Sequence, residues 1–318
     1  MQFREATPEE RKIYYNEEWG GRRELPDYVL HTLSLREFGF DQDGSGPNDR
    51  KNQFLTVEQL ESYIRSKYPY SVYVSVAQYE RPSQMAGWLK AELAFDVDAK
   101  DLPVKNCCAK GQVCEKCLEE ARRVISMIGD VLRSDLGLRE LRYSYSGRGF
   151  HLRVLDEAVQ KMDSTARGEI VSYVIGGVVP SDLTIALGYS KVFRNYASRI
   201  LERLDERMLS NEGFRKAVVK VLTEKKQMVI SSLAMGRVEE IKELEGIGEK
   251  TFLKLMELLA RLNAEQEDSR VTVDTRRILR LPSTLHSGVS MKCVEIRDIN
   301  KFSLDQAIPK FVGERRGS

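Results

Sequence analysis

The residues best able to do chemistry stand in one short stretch, Glu92-Leu93-Ala94-Phe95-Asp96-Val97-Asp98. In a strand, side chains alternate between two faces. Leu93, Phe95 and Val97 then turn towards a core, and Glu92, Ala94, Asp96 and Asp98 share the other face. Carboxylates this close repel unless solvent or a divalent cation offsets them. Hard oxygen ligands suit magnesium or manganese. Two such ions about 3.5–4 Å apart support in-line phosphoryl or nucleotidyl transfer. A solvated acidic strand end is the plainer reading, and an Asp-x-Asp pair alone does not separate the two.

A second chemical cluster follows at once. Cys107, Cys108, Cys114 and Cys117 include a Cys-x2-Cys half. Four thiolates so spaced are typical of tetrahedral structural zinc. An iron–sulfur cluster satisfies the same thiolate count, but the tight spacing favours zinc. Buried free thiols are the bland alternative, and the crowding argues against them. Cys293 is left over and reads as a core residue.

Two further stretches carry phosphate-binding chemistry. Tyr143 to Val154 reads as strand, Gly-bracketed turn, strand. Ser146, Arg148 and His151 bring a hydroxyl, a guanidinium fork and an imidazole to one end, a set able to hold a triphosphate. A hairpin with a solvated arginine fits equally well. Val271-Thr272-Val273-Asp274 alternates like a strand, with Asp274 opposite the valines. Arg276, Arg277, Arg280 and His286 follow, as phosphate binders beside a third metal carboxylate would.

The elements that must position these residues can be read from capping and periodicity. Met1 to Glu18 is charged and helical in pattern, unlike a signal peptide, with Thr7-Pro8-Glu9-Glu10 as a capping box. Thr56 and Gln59 cap a helix reaching Lys67, and Val72, Val74 and Val76 alternate as a strand. A strand over about 90–98 carries the carboxylates. Leu118, Ala121, Val124, Ile125, Ile128, Val131 and Leu132 make one helical stripe ending near Gly137. From about Ser190 to Gln266 the pattern is wholly helical, which predicts a separate helical subdomain. Within it, Leu244 to Thr251 is similar to the hairpin of a helix-hairpin-helix motif, where helix N-terminal N–H groups bind DNA phosphate. Glu243, Glu245 and Glu249 weaken that reading, and a tight interhelical turn is preferred.

Composition excludes several classes. The chain has 318 residues, 42% hydrophobic and 31% charged, as in a soluble globular protein. No apolar run is long enough to span a bilayer. A net charge of +2 argues against a protein held on nucleic acid by bulk charge alone. Asp41-Gln42-Asp43-Gly44 imitates a calcium loop, but its twelfth position is Asn52 instead of a bidentate Glu. No Gly-x4-Gly-Lys-Ser/Thr loop is present, which argues against an ATP motor.

Taken in order, the Phe95-Asp96-Val97-Asp98 strand, the cysteine knuckle, the Ser146-Gly147-Arg148-Gly149-Phe150-His151 turn and the late Asp274, Arg280 and Ser283-Thr284-Leu285-His286 resemble one family. It is the small catalytic subunit of archaeal and eukaryotic DNA primases, with an archaeal cast. The resemblance covers most of residues 1–300. It implies a mixed α/β (α+β) primase catalytic fold around a β-sheet, with a zinc knuckle and a helical subdomain. Residues 1–189, including the knuckle at 107–117, and 267–318 would form the catalytic domain, and 190–266 the helical subdomain.

Asp96, Asp98 and Asp274 would hold catalytic magnesium or manganese. Ser146, Arg148, His151, Arg280 and His286 would contact the incoming triphosphate, with Arg36 of Arg36-Glu37-Phe38 near the nucleotide. Cys107, Cys108, Cys114 and Cys117 would hold structural zinc. The implied activity is primer synthesis on single-stranded DNA from nucleoside triphosphates, of the DNA-directed RNA polymerase type, in replication. The implied partner is a primase large subunit, and the implied location is cytoplasmic, on the nucleoid, with no membrane. Rival readings are an end-joining polymerase or primase-polymerase of the same superfamily, or a non-catalytic zinc-containing nucleic-acid-binding protein.

Overall fold

A computed structural model of the chain describes residues 4–109 and 111–314. Of the amino-terminal segment read as helical, the first three residues lie outside the described part, and a helix with the expected Thr7–Glu10 capping box spans Pro8–Ile13.

The strands among the described residues are, in chain order, β1 (Phe38–Asp41), β2 (Asp49–Asn52), β3 (Ser71–Ser75), β4 (Ala77–Arg81), β5 (Ala86–Ala91), β6 (Leu93–Asp98), β7 (Leu141–Tyr145), β8 (Gly149–Val154), β9 (Ile278–Arg280) and β10 (Val294–Ile296). They form antiparallel sheets in the orders β2-β1-β3-β9 and β10-β7-β8-β6, with β4-β5 as a separate hairpin. The result is the mixed α/β architecture expected for a primase catalytic fold.

The alternation in β6 sorts its side chains as the sequence predicts. Leu93, Phe95 and Val97 face Val154, Leu152 and Phe150 of β8 across the ladder, and all six are buried in one core. The helix Glu115–Ser134 lays Leu118, Ala121, Val124, Ile125, Ile128 and Leu132 on that layer. Each such buried side chain contributes about 1.5–3 kcal/mol. The opposite face of β6 is thereby free to carry polar chemistry.

Two local expectations are corrected. The stretch 90–98 is two strands, because Glu92 breaks out between β5 and β6 and donates its N–H to Val76 O at 3.0 Å. Val271–Asp274 is not a strand: Ser269–Val273 is a short helix with Asp274 at its C-cap. The Asp268 side chain accepts from Arg270 N and starts this helix, and burial of Val271 and Thr272 holds it. Tertiary packing here overrides the β-branched preference for strand.

The region from Gly188 to Ala264 is helical, with Phe193, Ile200, Leu233, Leu255 and Leu259 among the residues of its own buried cluster. Its first helix, Gly188–Arg203, also sends Val192 and Tyr196 into the core beneath β6. The Gly246-Ile247-Gly248 stretch joins helices Val238–Lys242 and Glu249–Ala264, with Ile247 plugged into the helical core.

Candidate active site

The polar face of β6 looks into a cleft of about 450 Å³ between the two larger sheets. Asp96, Asp98, Ser146, Arg148, His151, Asp274, Arg280 and His286 all line it. These residues come from β6, the β7–β8 turn, β8, β9 and the segments flanking β9, so the fold gathers positions almost two hundred residues apart.

The antiparallel ladder sets the first contacts. Asp96 lies opposite His151 and Asp98 opposite Gly149. His151 Nε2 is 3.5 Å from Asp96 Oδ1. Arg148 Nη2 donates to Asp98 Oδ2 at 2.6 Å, and its Nε is 3.2 Å from both oxygens. Asp98 Oδ1 also accepts the Lys100 N–H at 2.8 Å. Burial in the cleft, with the charge of Asp98 next, pushes the Asp96 carboxyl up to about 7. A divalent cation would offset both causes, and an all-oxygen donor set suits magnesium or manganese.

The turn needs its glycines. Gly147 has φ +103°, and a Cβ there would stand 2.4 Å from His286 Cβ. A Cβ on Gly149 would stand 2.2 Å from Val97 O. Close packing of the turn on β6 and on His286 therefore excludes any side chain at either position.

Arg280 bridges the two sheets. It pairs with Tyr73 across β9 and β3, donates Nη1 to Ser146 O at 2.9 Å, and lies over the Tyr73 ring at 5.3 Å. His286 Nδ1 accepts the Gly288 N–H at 3.0 Å. Burial, with the cations of Arg280 and Arg148 next, holds His286 well below the usual imidazole range. The neutral ring therefore carries its proton on Nε2, as a donor. Burial and the Arg280, Arg153 and Arg277 charges likewise hold His151 neutral. Asp274 is exposed on the cleft wall, with Oδ1 accepting the Arg276 N–H at 2.8 Å.

The three aspartates share the cleft, but they are not drawn together around one point. Among the described residues, the four cysteines are the group of three or more ligand atoms lying within 4.8 Å of one another. Asp98 is held aside by Arg148.

One expected residue lies elsewhere. Arg36, expected near the nucleotide, is buried with its guanidinium on Glu92, on Ser75 O at 2.6 Å and on Thr32 Oγ1 at 2.6 Å. Arg153 is also buried and donates Nη1 to the other Glu92 oxygen. Neither lines the cleft. Glu92 shares the polar face of the aspartates, but the fold closes over it, so its charge is met by two guanidinia instead of solvent.

Other lining residues escaped sequence reasoning. Arg50 reaches the cleft with Nε and Nη2 each 2.9 Å from the buried Glu37 carboxylate. Tyr73 belongs to the polar side of a strand whose alternation was legible, and that was its signal. Glu267 gave none. Thr272 Oγ1 is 2.6 Å from Ala94 O and 2.8 Å from Glu267 Oε1. Burial outweighs the Thr272 contact and, with the charge of Asp96, pushes the Glu267 carboxyl up to about 8.

The cysteines form a compact knot at the start of helix Glu115–Ser134. Sulfur separations are 3.9 Å for Cys107–Cys108, 3.8 Å for Cys108–Cys117 and 3.6 Å for Cys114–Cys117. Zinc–sulfur bonds of about 2.3 Å in a tetrahedron put sulfurs roughly 3.8 Å apart. Cys114 and Cys117 also cap the helix reciprocally, each thiol accepting from the other's N–H. Lys110, inside this loop, lies outside the described residues. The cluster is compatible with zinc.

Comparison with known proteins agrees with this geometry. The profile of the family described as DNA primase small subunit matches residues 95–298. The DNA primase small subunit PriS of Thermococcus kodakarensis is 41% identical over 97% of this chain and 94% of that protein. The proteins of the same name from Methanothermobacter thermautotrophicus and Methanobrevibacter smithii are 40% and 39% identical over 98% of this chain, covering 98% and 99% of their own lengths.

Proposed function

The chain belongs to the DNA primase small-subunit family and is a catalytic subunit of the nucleotidyltransferase type, and from that premise we propose how its cleft works. Asp96, Asp98 and Asp274 hold two magnesium or manganese ions. Bound there, such ions would supply the charge that activates an attacking 3′-hydroxyl and offsets a departing pyrophosphate. The observation that carries the reading is the shared cleft: β6 places two carboxylates opposite a Ser-Gly-Arg turn, and Arg280 ties that turn to the sheet bearing Tyr73.

The chain's own residues bind and orient the triphosphate. Arg148 and Arg280 offer guanidinium forks that match phosphate oxygens. His286 donates Nε2–H as a neutral group, so it adds a hydrogen bond without a further charge. Ser146 supplies a hydroxyl at the same end. Arg36 supports the site from behind, through Glu92, without touching the nucleotide. The product is a short primer made on single-stranded DNA, a DNA-directed RNA polymerase type of activity, in the cytoplasm on the nucleoid.

Zinc in the cysteine knot is structural, since four thiolates leave no open position for water. Residues 1–189 and 267–318 act as the catalytic unit and 190–266 as a helical subdomain, a division supported by the separate buried clusters. The relatives' name, small subunit, supports a large-subunit partner. No helix among the described residues is long and apolar enough to cross a membrane.

The test is primer synthesis from nucleotides alone on single-stranded DNA, with magnesium or manganese. Wild type should make primers, and Asp96→Ala and Asp98→Ala should make none while keeping the wild-type circular dichroism spectrum. Full activity in either folded variant would refute the metal assignment. Extension of supplied primers without new initiation, by the assembled pair of subunits, would favour a related polymerase instead.

A further inference from the structure

β6 is the outer strand of its sheet and pairs with β8 alone. Its second edge carries backbone carbonyls that need donors, and buried carbonyls are rarely left without one. The carbonyls of Glu92, Ala94 and Asp96 recur there at the two-residue period of a strand. Among the described residues, no strand covers them. Arg167 Nη1 donates to Glu92 O at 2.8 Å, with Nη2 on Ala91 O at 2.7 Å. Thr272 Oγ1 donates to Ala94 O at 2.6 Å. The Asp268 N–H donates to Asp96 O at 3.0 Å.

Two of these donors, Asp268 and Thr272, belong to the segment that ends at Asp274. Arg167 joins the same system, since its Nη1 is also 3.4 Å from Thr272 O. Arg167 and Thr272 are both buried. The Arg167 contacts among the described residues are all to backbone carbonyls, the fourth being Met162 O at 3.0 Å from Nε. A buried guanidinium with no carboxylate in direct contact, offset only at longer range by the charges of Asp274 and Glu92, is a costly way to satisfy a strand edge. A planar fork does, however, fix the relative position of several chain segments at once.

Resting on the reading of Asp96, Asp98 and Asp274 as metal ligands, we propose that Thr272 and Arg167 are positioning residues that set Asp274 in register with the Asp96–Asp98 strand. Asp274 comes from a helix end 176 residues beyond Asp98. Without lateral hydrogen bonds, that helix end could slide along the strand edge. The Thr272 hydroxyl, two residues from Asp96 at Ala94 O, and the Arg167 fork, two residues further at Glu92 O, stop the slide, so the third carboxylate meets the ions that the first two hold.

The experiment measures Mn²⁺ binding to the purified chain, by the electron paramagnetic resonance of free Mn²⁺, alongside primer synthesis and thermal melting. Thr272→Val removes the hydroxyl at nearly constant shape, and Thr272→Ser keeps it. Loss of a group that orients a metal ligand typically costs about 10–100-fold in metal affinity. Thr272→Val should weaken Mn²⁺ binding by about tenfold, within that range, and Thr272→Ser should restore it. The KM for nucleotide at saturating Mn²⁺ should stay put. Unchanged Mn²⁺ affinity in folded Thr272→Val would overturn the proposal. So would equal weakening in both variants, which would assign the effect to packing. If Thr272→Val does not fold, Arg167→Lys, which keeps the charge and loses the fork, carries the same expectation and the same refutation. Asp96→Ala is the control for the underlying reading: Mn²⁺ binding intact in that variant refutes the metal assignment, whereas its loss beside a normal Thr272→Val refutes only the positioning role.

Discussion

Replacing Glu92 by glutamine should be among the most damaging single changes in the chain, although Glu92 touches no substrate. Its carboxylate lies between two guanidinia, with Oε1 on Arg36 and Oε2 on Arg153, and all three side chains are at most 2% exposed. Glutamine keeps the shape and removes the negative charge. Two buried cations would then face each other with no counter-charge. Removing one partner of a buried ion pair costs about 3–5 kcal/mol, a large share of a typical total stability of about 5–15 kcal/mol. Arg36→Met should cost less, because Glu92 keeps Arg153 and the remaining pair is neutral.

The same triad gives an acid dependence. Burial alone would raise the Glu92 carboxyl, but the Arg36 and Arg153 charges override it and hold it below its ordinary value. A depressed carboxyl stabilises the fold above its unfolded pKa of about 4.3. That contribution is lost as the pH falls through the folded-state value. Denaturant titration of wild type, Glu92→Gln and Arg36→Met at neutral pH and across the acid range reads both effects. Glu92→Gln should show a lower midpoint and a flatter acid limb. A Glu92→Gln stability within about 1 kcal/mol of wild type, the range of an ordinary surface change, would refute the triad argument. Weakened nucleotide binding in stable, folded Arg36→Met, with binding unchanged in folded Glu92→Gln, would show that Arg36 reaches the nucleotide.

Arg148→Ala should act in two directions at once. Nucleotide affinity should fall about ten- to hundredfold from a lost charge-assisted contact of about 1.5–3 kcal/mol, with a similar fall for His151→Ala. Mn²⁺ affinity without nucleotide should rise in Arg148→Ala, because the guanidinium no longer occupies Asp98. Calorimetric titration of each ligand checks both, and unchanged nucleotide affinity in both variants would reduce the turn to a plain hairpin. Cys114→Ser or Cys117→Ser should release zinc and lower stability, read by metal analysis and melting. Iron in freshly purified protein, or no metal at all, would contradict this. Binding to a short single-stranded oligonucleotide should be weak and only shallowly salt-dependent. Each neutralised phosphate adds about −0.7 to the slope of log affinity against log salt, so Arg276 and Arg277 alone give about −1.4. Tight, steeply salt-dependent binding by this chain alone would show a complete template channel.

The sequence alone determined whatever depends on neighbours in the chain. Alternation in Leu93–Asp98 put the apolar residues on one face and Asp96 and Asp98 on the other, because successive strand side chains point oppositely. The stripe from Leu118 to Leu132, the Thr7 and Thr56 caps and the cysteine knot were legible for the same reason. Spacing along a helix or a tight loop fixes spacing in three dimensions. Only the tertiary structure decided what depended on distant segments. Glu92 shares a face with Asp96, yet long-range packing brings Arg36 and Arg153 over it and takes both arginines out of the binding surface. Val271-Thr272-Val273 has strand composition, but the free edge of β6 needs isolated donors there, and a short helix delivers the Thr272 hydroxyl to Ala94 O. Arg50 and Glu267 carry no sequence signal, because what marks them is the company of Glu37 in one case and of Thr272 in the other. A charge or a hydroxyl takes its role from the groups that desolvate it and hydrogen-bond to it, and those are chosen by the fold.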